Sequence, residues 1–261
     1  MKYGDSANLS KSTLGNYLEA IDLKSLLSEL GAPDTELLAR EIHHFSEKEA
    51  QKRDKIVLGY FGKRGIKQIV DIMATKLNSQ PELKPTAKIL DIGAGSGFFT
   101  ARIASKLKKL FPHSGFYAMD ATPAMLMSIA EKNDAITPFF GIAENIAGSI
   151  RKAREYATIP DRFDAVFSTL MLHHCTDIDK VFKSLREVLK SSGKAVIIDM
   201  CTHSFTEFRS EMGDVHLGFD PKQIKKAAEK TFSKVTVDKI PGICCSSSGR
   251  SAELLVATLR V

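Results

Sequence analysis

Asp91, Gly93, Gly95 and Gly97 fall within Lys88-Ile89-Leu90-Asp91-Ile92-Gly93-Ala94-Gly95-Ser96-Gly97-Phe98-Phe99-Thr100. Three glycines at alternate positions let a ligand approach the backbone closely and let the chain visit positive φ. The last two glycines are separated by one residue, where the dinucleotide fingerprint has two. A carboxylate beside the turn favours a cationic or zwitterionic ligand over a pyrophosphate. Asp120 closes a later apolar run and offers a second carboxylate for the hydroxyls of a ribose. His173 and His174 are adjacent imidazoles, each able to accept a proton near neutrality. Cys175, Cys201, Cys244 and Cys245, with His203 and His216, form a set suited to soft or borderline metals and metalloids.

Strands alternating with helices must position these groups. From Lys88 the pattern is that of an α/β sheet. The expected strands are Ile89–Ile92, Gly115–Met119, Ile136–Phe140, Ala165–Thr169, Ala195–Met200, Val235–Ile240 and Leu254–Leu259. Helices are expected over Phe98–Leu110, Pro123–Lys132, Glu144–Tyr156 and Ile178–Leu189, with one or two more between Phe205 and Phe232. Residues 1–80 read as a helical cap. It has one helix from Asn16 to Leu30, a second from Pro33 to Phe45, and a third from a capping box at Ser46 and Glu49 to Leu77. Gly59, Gly62 and Gly65 mark where the third helix would kink. Ligands bind beyond the carboxyl ends of parallel strands. Cys175 follows the fourth strand, Cys201 the fifth, and Cys244 and Cys245 the sixth, which is expected to be parallel, so all four cysteines map to that face.

The run Asp91-Ile92-Gly93-Ala94-Gly95-Ser96-Gly97 resembles motif I of the class I S-adenosylmethionine (SAM) dependent methyltransferases. Asp120-Ala121-Thr122-Pro123-Ala124-Met125-Leu126 resembles their D-x-S-x-x-M-L stretch. Phe163 to His174 is similar to their F-D-x-V stretch ending in paired histidines. Glu187 to Gly193 resembles their R-V-L-K-P-G-G turn, with Glu187 in the Arg position and serines at 191 and 192. The likeness covers about Lys88 to Val261 and points to the small-molecule type, similar to the quinone-biosynthesis group. It implies a doubly wound, Rossmann-like sheet of seven strands with strand 7 antiparallel, entered by a turn near Ser247-Ser248-Gly249. Residues 1–80 would be the cap or lid and residues 81–261 the cofactor-binding domain.

The resemblance implies SAM as cofactor and S-adenosyl-L-homocysteine as product. Gly93, Ala94, Gly95 and Gly97 would hold the methionine end, with Asp91 oriented toward its amino group. Asp120 would take the ribose, and Ala121 and Met125 would pack on adenine. Ala143 and Glu144 would lie on the adenine side, and Thr169 and Leu170 complete the cofactor set. Ile142 departs from the family, which has there an Asp that bonds the adenine amine. Methyl transfer asks the protein to align a nucleophile with the S–CH₃ bond and exclude water. Such orientation supplies up to ~7–11 kcal/mol in favourable cases. His173 or His174 would be the base if the acceptor carries a proton, and Tyr17, Tyr60 and Phe61 would cover the site.

The acceptor is expected to be a small molecule. No resident metal is assigned, but the rim of Cys175, Cys201, His203, His216, Cys244 and Cys245 raises a metalloid or thiol methyltransferase as an alternative. A SAM-binding or protein-interaction module without turnover is another. The net charge of +6 is spread over the helices without a basic run, which argues against nucleic acid. No apolar run approaches the ~20 residues of a membrane span. The polar N-terminus lacks a signal-peptide core, so a cytoplasmic location is expected. The N-terminal helices could also form a homodimer interface.

Overall fold

The computed structural model describes residues 11–44, 47–211, 213–247 and 250–261. Ser46 of the expected capping box and the turn at 248–249 lie outside them. Seven strands form one sheet in the order β3-β2-β1-β4-β5-β7-β6. They are β1 (Lys88–Ile92), β2 (Gly115–Asp120), β3 (Ile136–Phe140), β4 (Phe163–Thr169), β5 (Leu189–Met200), β6 (Lys234–Ser247) and β7 (Arg250–Arg260). β1 to β5 pair in parallel, and β7 runs antiparallel to both β5 and β6. This is the doubly wound, Rossmann-like arrangement expected, with strand 7 reversed.

Alternation along the strands builds two layers, because successive side chains point to opposite faces. Ile89, Phe116, Phe167, Val196, Ile198 and Val256 face one side. There they pack on α4 (Glu47–Leu77) and α5 (Phe98–Lys108). Leu90, Met119, Val166, Ile197, Leu255 and Leu259 face the other. That side carries α7 (Ile146–Ala153), α8 (Ile178–Val188) and α10 (Pro221–Ala228). In α8, Val181, Phe182, Leu185 and Val188 form a fully buried stripe at helical spacing. Each such side chain gains about 1.5–3 kcal/mol from burial.

The expected first helix is two: α1 (Lys11–Ala20) and α2 (Leu23–Glu29). Asp22 breaks it, accepting the Ser25 N–H as an N-cap at 3.3 Å. α3 (Thr35–His44) follows, with Asp34 accepting the Leu37 N–H. Leu14, Leu27 and Leu30 pack with Leu126 of α6 (Pro123–Lys132) and with Phe140 and Ile142. α4 turns sharply at Gly62, whose φ of 59° and ψ of 171° are not helical. Beyond that kink, Ile69, Met73 and Leu77 are part of the sheet's own core. The helical segment expected after β3 begins with a short 3-10 turn at Ala143–Asn145 before α7.

Two strands are longer than expected. β5 starts at Leu189 with a register shift, so the segment read as a turn is a bulged strand start. β6 continues past Ile240 through another shift to Ser247. Cys244 and Cys245 therefore lie within β6, opposite Glu253 and Ala252, and do not follow it. A short helix, α9 (Phe208–Glu211), sits in the connection after β5. Among the described residues, no helix is long and apolar enough to cross a membrane.

Candidate functional site

The strand order reverses between β1 and β4, so the chain leaves these neighbours toward opposite faces. Such a switch point opens a crevice at the strands' carboxyl ends. A cavity lies there, with Gly93 and Gly95 on its floor and Asp120, Ala121 and Met125 along one wall. Ala143, Glu144 and Leu170 continue the lining, and Met171, His174 and Cys175 close it at the β4 end. Leu37, Leu38 and Ile42 of α3 and Arg53 of α4 cover it.

The turn after β1 needs glycine at all three positions. Gly93, Gly95 and Gly97 have φ of 64°, 54° and 76°. A Cβ on Gly93 would collide with the Met171 side chain, and one on Gly97 would come 2.9 Å from Ile129 Cγ1. Leu170 takes φ of 58° without being glycine, which marks stored strain at the end of β4.

Asp120 ties β2 to this turn. Its Oδ2 accepts the Gly95 N–H at 2.7 Å and its Oδ1 the Thr122 N–H at 2.8 Å. Each oxygen keeps a lone pair for a further donor. Burial pushes the carboxyl up, and the two N–H groups, the Thr122 hydroxyl and Arg53 oppose the rise. Asp91 lies behind the turn, 2% exposed. Its Oδ2 accepts the Thr100 hydroxyl at 2.6 Å, while Oδ1 is buried with no hydrogen-bond partner. Burial holds this carboxyl well above its ordinary range; Thr100 opposes and the Asp120 charge adds.

Asp91, Ala94, Gly97 and Thr169 shape the site without lining the cavity. Ala94 donates its N–H to Met119 O at 3.1 Å, and Thr169 is buried at the end of β4. Ile142 is buried, and its N–H donates to Ser149 Oγ at 3.1 Å. Glu144 faces the cavity, its carboxyl raised by burial. Tyr17, Tyr60 and Phe61 do not line it. Tyr17 stacks on Tyr156, Tyr60 lies near Phe208, and Phe61 meets Phe99.

His173 and His174 stand on a 3-10 turn after β4, ring centroids 4.2 Å apart. His174 borders the cavity; His173 is buried behind it. His173 Nδ1 lies 2.7 Å from Asp199 Oδ1 and its Nε2 3.6 Å from Asp214 Oδ1. Burial alone would lower the His173 pKa. The charge and hydrogen bond of Asp199, with Asp214, outweigh it and raise the pKa.

The thiol and imidazole rim divides. Cys175 borders the main cavity with Sγ 3.2 Å from Met171 Sδ. Cys201 and His203 line a second cavity after β5. His216 Nε2 lies 3.0 Å from the Cys175 carbonyl oxygen. The side chains of Cys244 and Cys245 lie outside the described residues. Among those described, no cysteine belongs to a group spaced to share an ion.

Three residues here escaped sequence reading. Arg53 hides in a charged helical run and carries no signal of its own. Asp214 sits in a connection without periodicity. Asp199 did leave a signal, an acid within Ala195-Val196-Ile197-Ile198-Asp199-Met200, where a buried charge needs a partner.

A doubly wound sheet with an acid-flanked glycine turn at its switch point defines a nucleoside-ligand site. Residues 83–257 match the family described as "Methyltransferase domain", and the chain belongs to that family. It is 26% identical over 161 residues to the biotin biosynthesis bifunctional protein BioHC of Cellvibrio japonicus, covering 61% of this chain and 28% of that protein. It is 25% identical over 144 residues to malonyl-[acyl-carrier protein] O-methyltransferase 1 of Ilyobacter polytropus, covering 54% and 49%. The chain thus spans half or less of these curated relatives. Phosphoethanolamine N-methyltransferase 2 of Haemonchus contortus, solved with S-adenosyl-L-methionine, shares the fold. Its TM-score is 0.59 at 17% identity, over 92% of this chain and 60% of that one.

Proposed function

We propose that the protein is a SAM-dependent methyltransferase acting on a small-molecule acceptor. The observation that carries this is the Oδ1 of Asp91, buried and without a hydrogen-bond partner behind the glycine turn of a methyltransferase-family chain. A buried carboxylate oxygen without a donor is costly. The ammonium of a methionine moiety offers the donor and the charge. Asp120 keeps two lone pairs for ribose hydroxyls, and the glycines leave the backbone bare. The residues present fit S-adenosyl-L-methionine, and S-adenosyl-L-homocysteine is the product.

The cofactor supplies a methyl group already activated on a sulfonium. The chain's own residues supply the rest. Gly93, Gly95 and Asp91 bind the methionine end, and Arg53 supplies the cation for its carboxylate. Asp120 holds the ribose, with Ala121, Met125, Ala143 and Glu144 around the base. Leu170 and Met171 fix the cavity wall at the β4 end. His174 faces an acceptor there, with His173 and Asp199 behind it. α3 and Arg53 of α4 act as the lid that excludes water, because they border the cavity. Homodimerisation through the N-terminal helices is the competing role for that segment. The buried thiols Cys175 and Cys201 suit a reducing, cytoplasmic setting.

The relatives named for O-methylation of a malonyl carrier place a carboxylate first among acceptors to test. The test is transfer of a labelled methyl from SAM to a panel of thioester-linked dicarboxylates, phosphorylated amines and phenols. Label in one class, abolished by S-adenosyl-L-homocysteine, supports the reading. SAM binding with no label in any class would favour a binding module without turnover.

A further inference from the structure

We propose that His173, His174 and Asp214 form a site for one divalent transition-metal ion, of the zinc or cobalt kind, at the β4 end of the cavity. One ligand atom from each lies within 4.8 Å of the other two. His173 Nε2 and Asp214 Oδ1 are 3.6 Å apart, too long for a hydrogen bond. Two ligands on a tetrahedral ion with bonds of about 2.0–2.1 Å stand ~3.3 Å apart. The observed spacing is close to that edge.

The ligands are also oriented. Asp199 Oδ1 accepts from His173 Nδ1 at 2.7 Å, which points Nε2 at Asp214, where a bound ion would take the place of its proton. A carboxylate behind a ligating histidine is the usual support of such sites. His174 Nδ1 lies 3.3 Å from the Gly213 carbonyl oxygen. The backbone N–H groups of Val215 and His216 donate to His173 O at 3.1 and 2.9 Å. These bonds staple the Asp214 segment to the histidine turn.

Asp214 supplies the independent observation. It is 3% exposed, and both its carboxylate oxygens are buried without a hydrogen bond. His173, Arg53 and Arg209 act on it through their charge, yet none of them donates to its oxygens. Arg209 donates instead to Val215 O at 2.6 Å. A buried, undonated carboxylate is expensive unless a cation takes it. Two nitrogens and one oxygen suit a borderline ion and not magnesium or calcium. Three protein ligands leave a coordination position open, and His174 borders the cavity. A coordinated imidazole is not a free base, so the two uses of His174 differ in sensitivity to chelators.

The inference does not depend on the cofactor, and its test omits SAM. The full chain, stripped with a chelator, is titrated with Co²⁺ by visible absorption and with Zn²⁺ by calorimetry. One equivalent should bind, with cobalt bands that Zn²⁺ displaces. Asp214→Asn and His174→Gln should each weaken binding at least tenfold, while Cys175→Ser combined with Cys201→Ser should not. If a variant fails to fold, the wild-type melting temperature decides: it should rise with Zn²⁺ and not with Mg²⁺. Absent cobalt bands, an unmoved melting temperature, binding unchanged in both Asp214→Asn and His174→Gln, or binding lost with the cysteines would overturn the site.

Discussion

Asp120 Oδ2 accepts the backbone N–H of Gly95 at 2.7 Å, which joins the end of β2 to the turn after β1. One carboxylate thus shapes the glycine turn and still offers lone pairs to a ligand.

Asp120→Ala should therefore weaken SAM binding on two counts. Loss of a charge-assisted hydrogen bond is worth about 1.5–3 kcal/mol, or roughly 10- to 150-fold in Kd. Calorimetric titration checks it. Wild-type affinity in the variant would remove Asp120 from the site.

Gly93→Ala puts a side chain at a φ of 64°, against Met171. The left-handed conformation costs an L-residue about 1–2 kcal/mol, and the collision adds to it. The variant should melt several degrees lower and bind SAM more weakly. Gly59→Ala, in a helix with open space around it, is the control and should do neither.

Arg53 borders the cavity from α4. Arg53→Gln should raise the Kd for SAM about tenfold or more, a charged hydrogen bond being worth about 1.5–3 kcal/mol. The variant should also melt somewhat lower, because the Arg53 charge acts on the buried Asp120 and Asp214 carboxylates. An unchanged Kd would return Arg53 to a purely electrostatic role beside Asp120 and Asp214.

Lys194 gives a pH dependence of stability. It is 1% exposed and donates to the carbonyls of Ser79 and Pro81, tying the linker to β5. Burial, helped by the Arg260 charge and opposed by Glu82, pulls its pKa down to about 8. The unfolded lysine titrates near ~10.4, so between these values the unfolded chain binds more protons and stability rises with pH. The advantage of wild type over Lys194→Met should grow by on the order of 1–2 kcal/mol from about pH 7.5 to 9.5. Urea unfolding at both pH values measures it; a difference that shrinks would contradict the shift.

The strands were legible because their residues alternate or run apolar between clear breakers, and the glycine turn because only glycine suits its φ values. The histidine pair was placed at the end of β4 by its neighbours in sequence. What escaped was long-range. Nothing local to Arg53 or Asp214 shows that folding brings them to Asp120 and His173. The sixth strand was expected to end at Ile240, yet β6 resumes its pairing with β7 at Cys244. Asp22 read as one residue of a continuous helix, although its side chain was a better cap than an interior position. The cysteines were grouped by strand ends, and the lengthened β6 and the second cavity separate them.

The central claim is that the acid-flanked glycine turn is a SAM site. Calorimetry of the wild-type protein against SAM, S-adenosyl-L-homocysteine and NAD tests it most directly. One site is expected for each of the first two, with no heat from NAD and loss of both signals in Asp91→Ala. Absence of SAM and S-adenosyl-L-homocysteine binding, or equal binding of NAD, would contradict it.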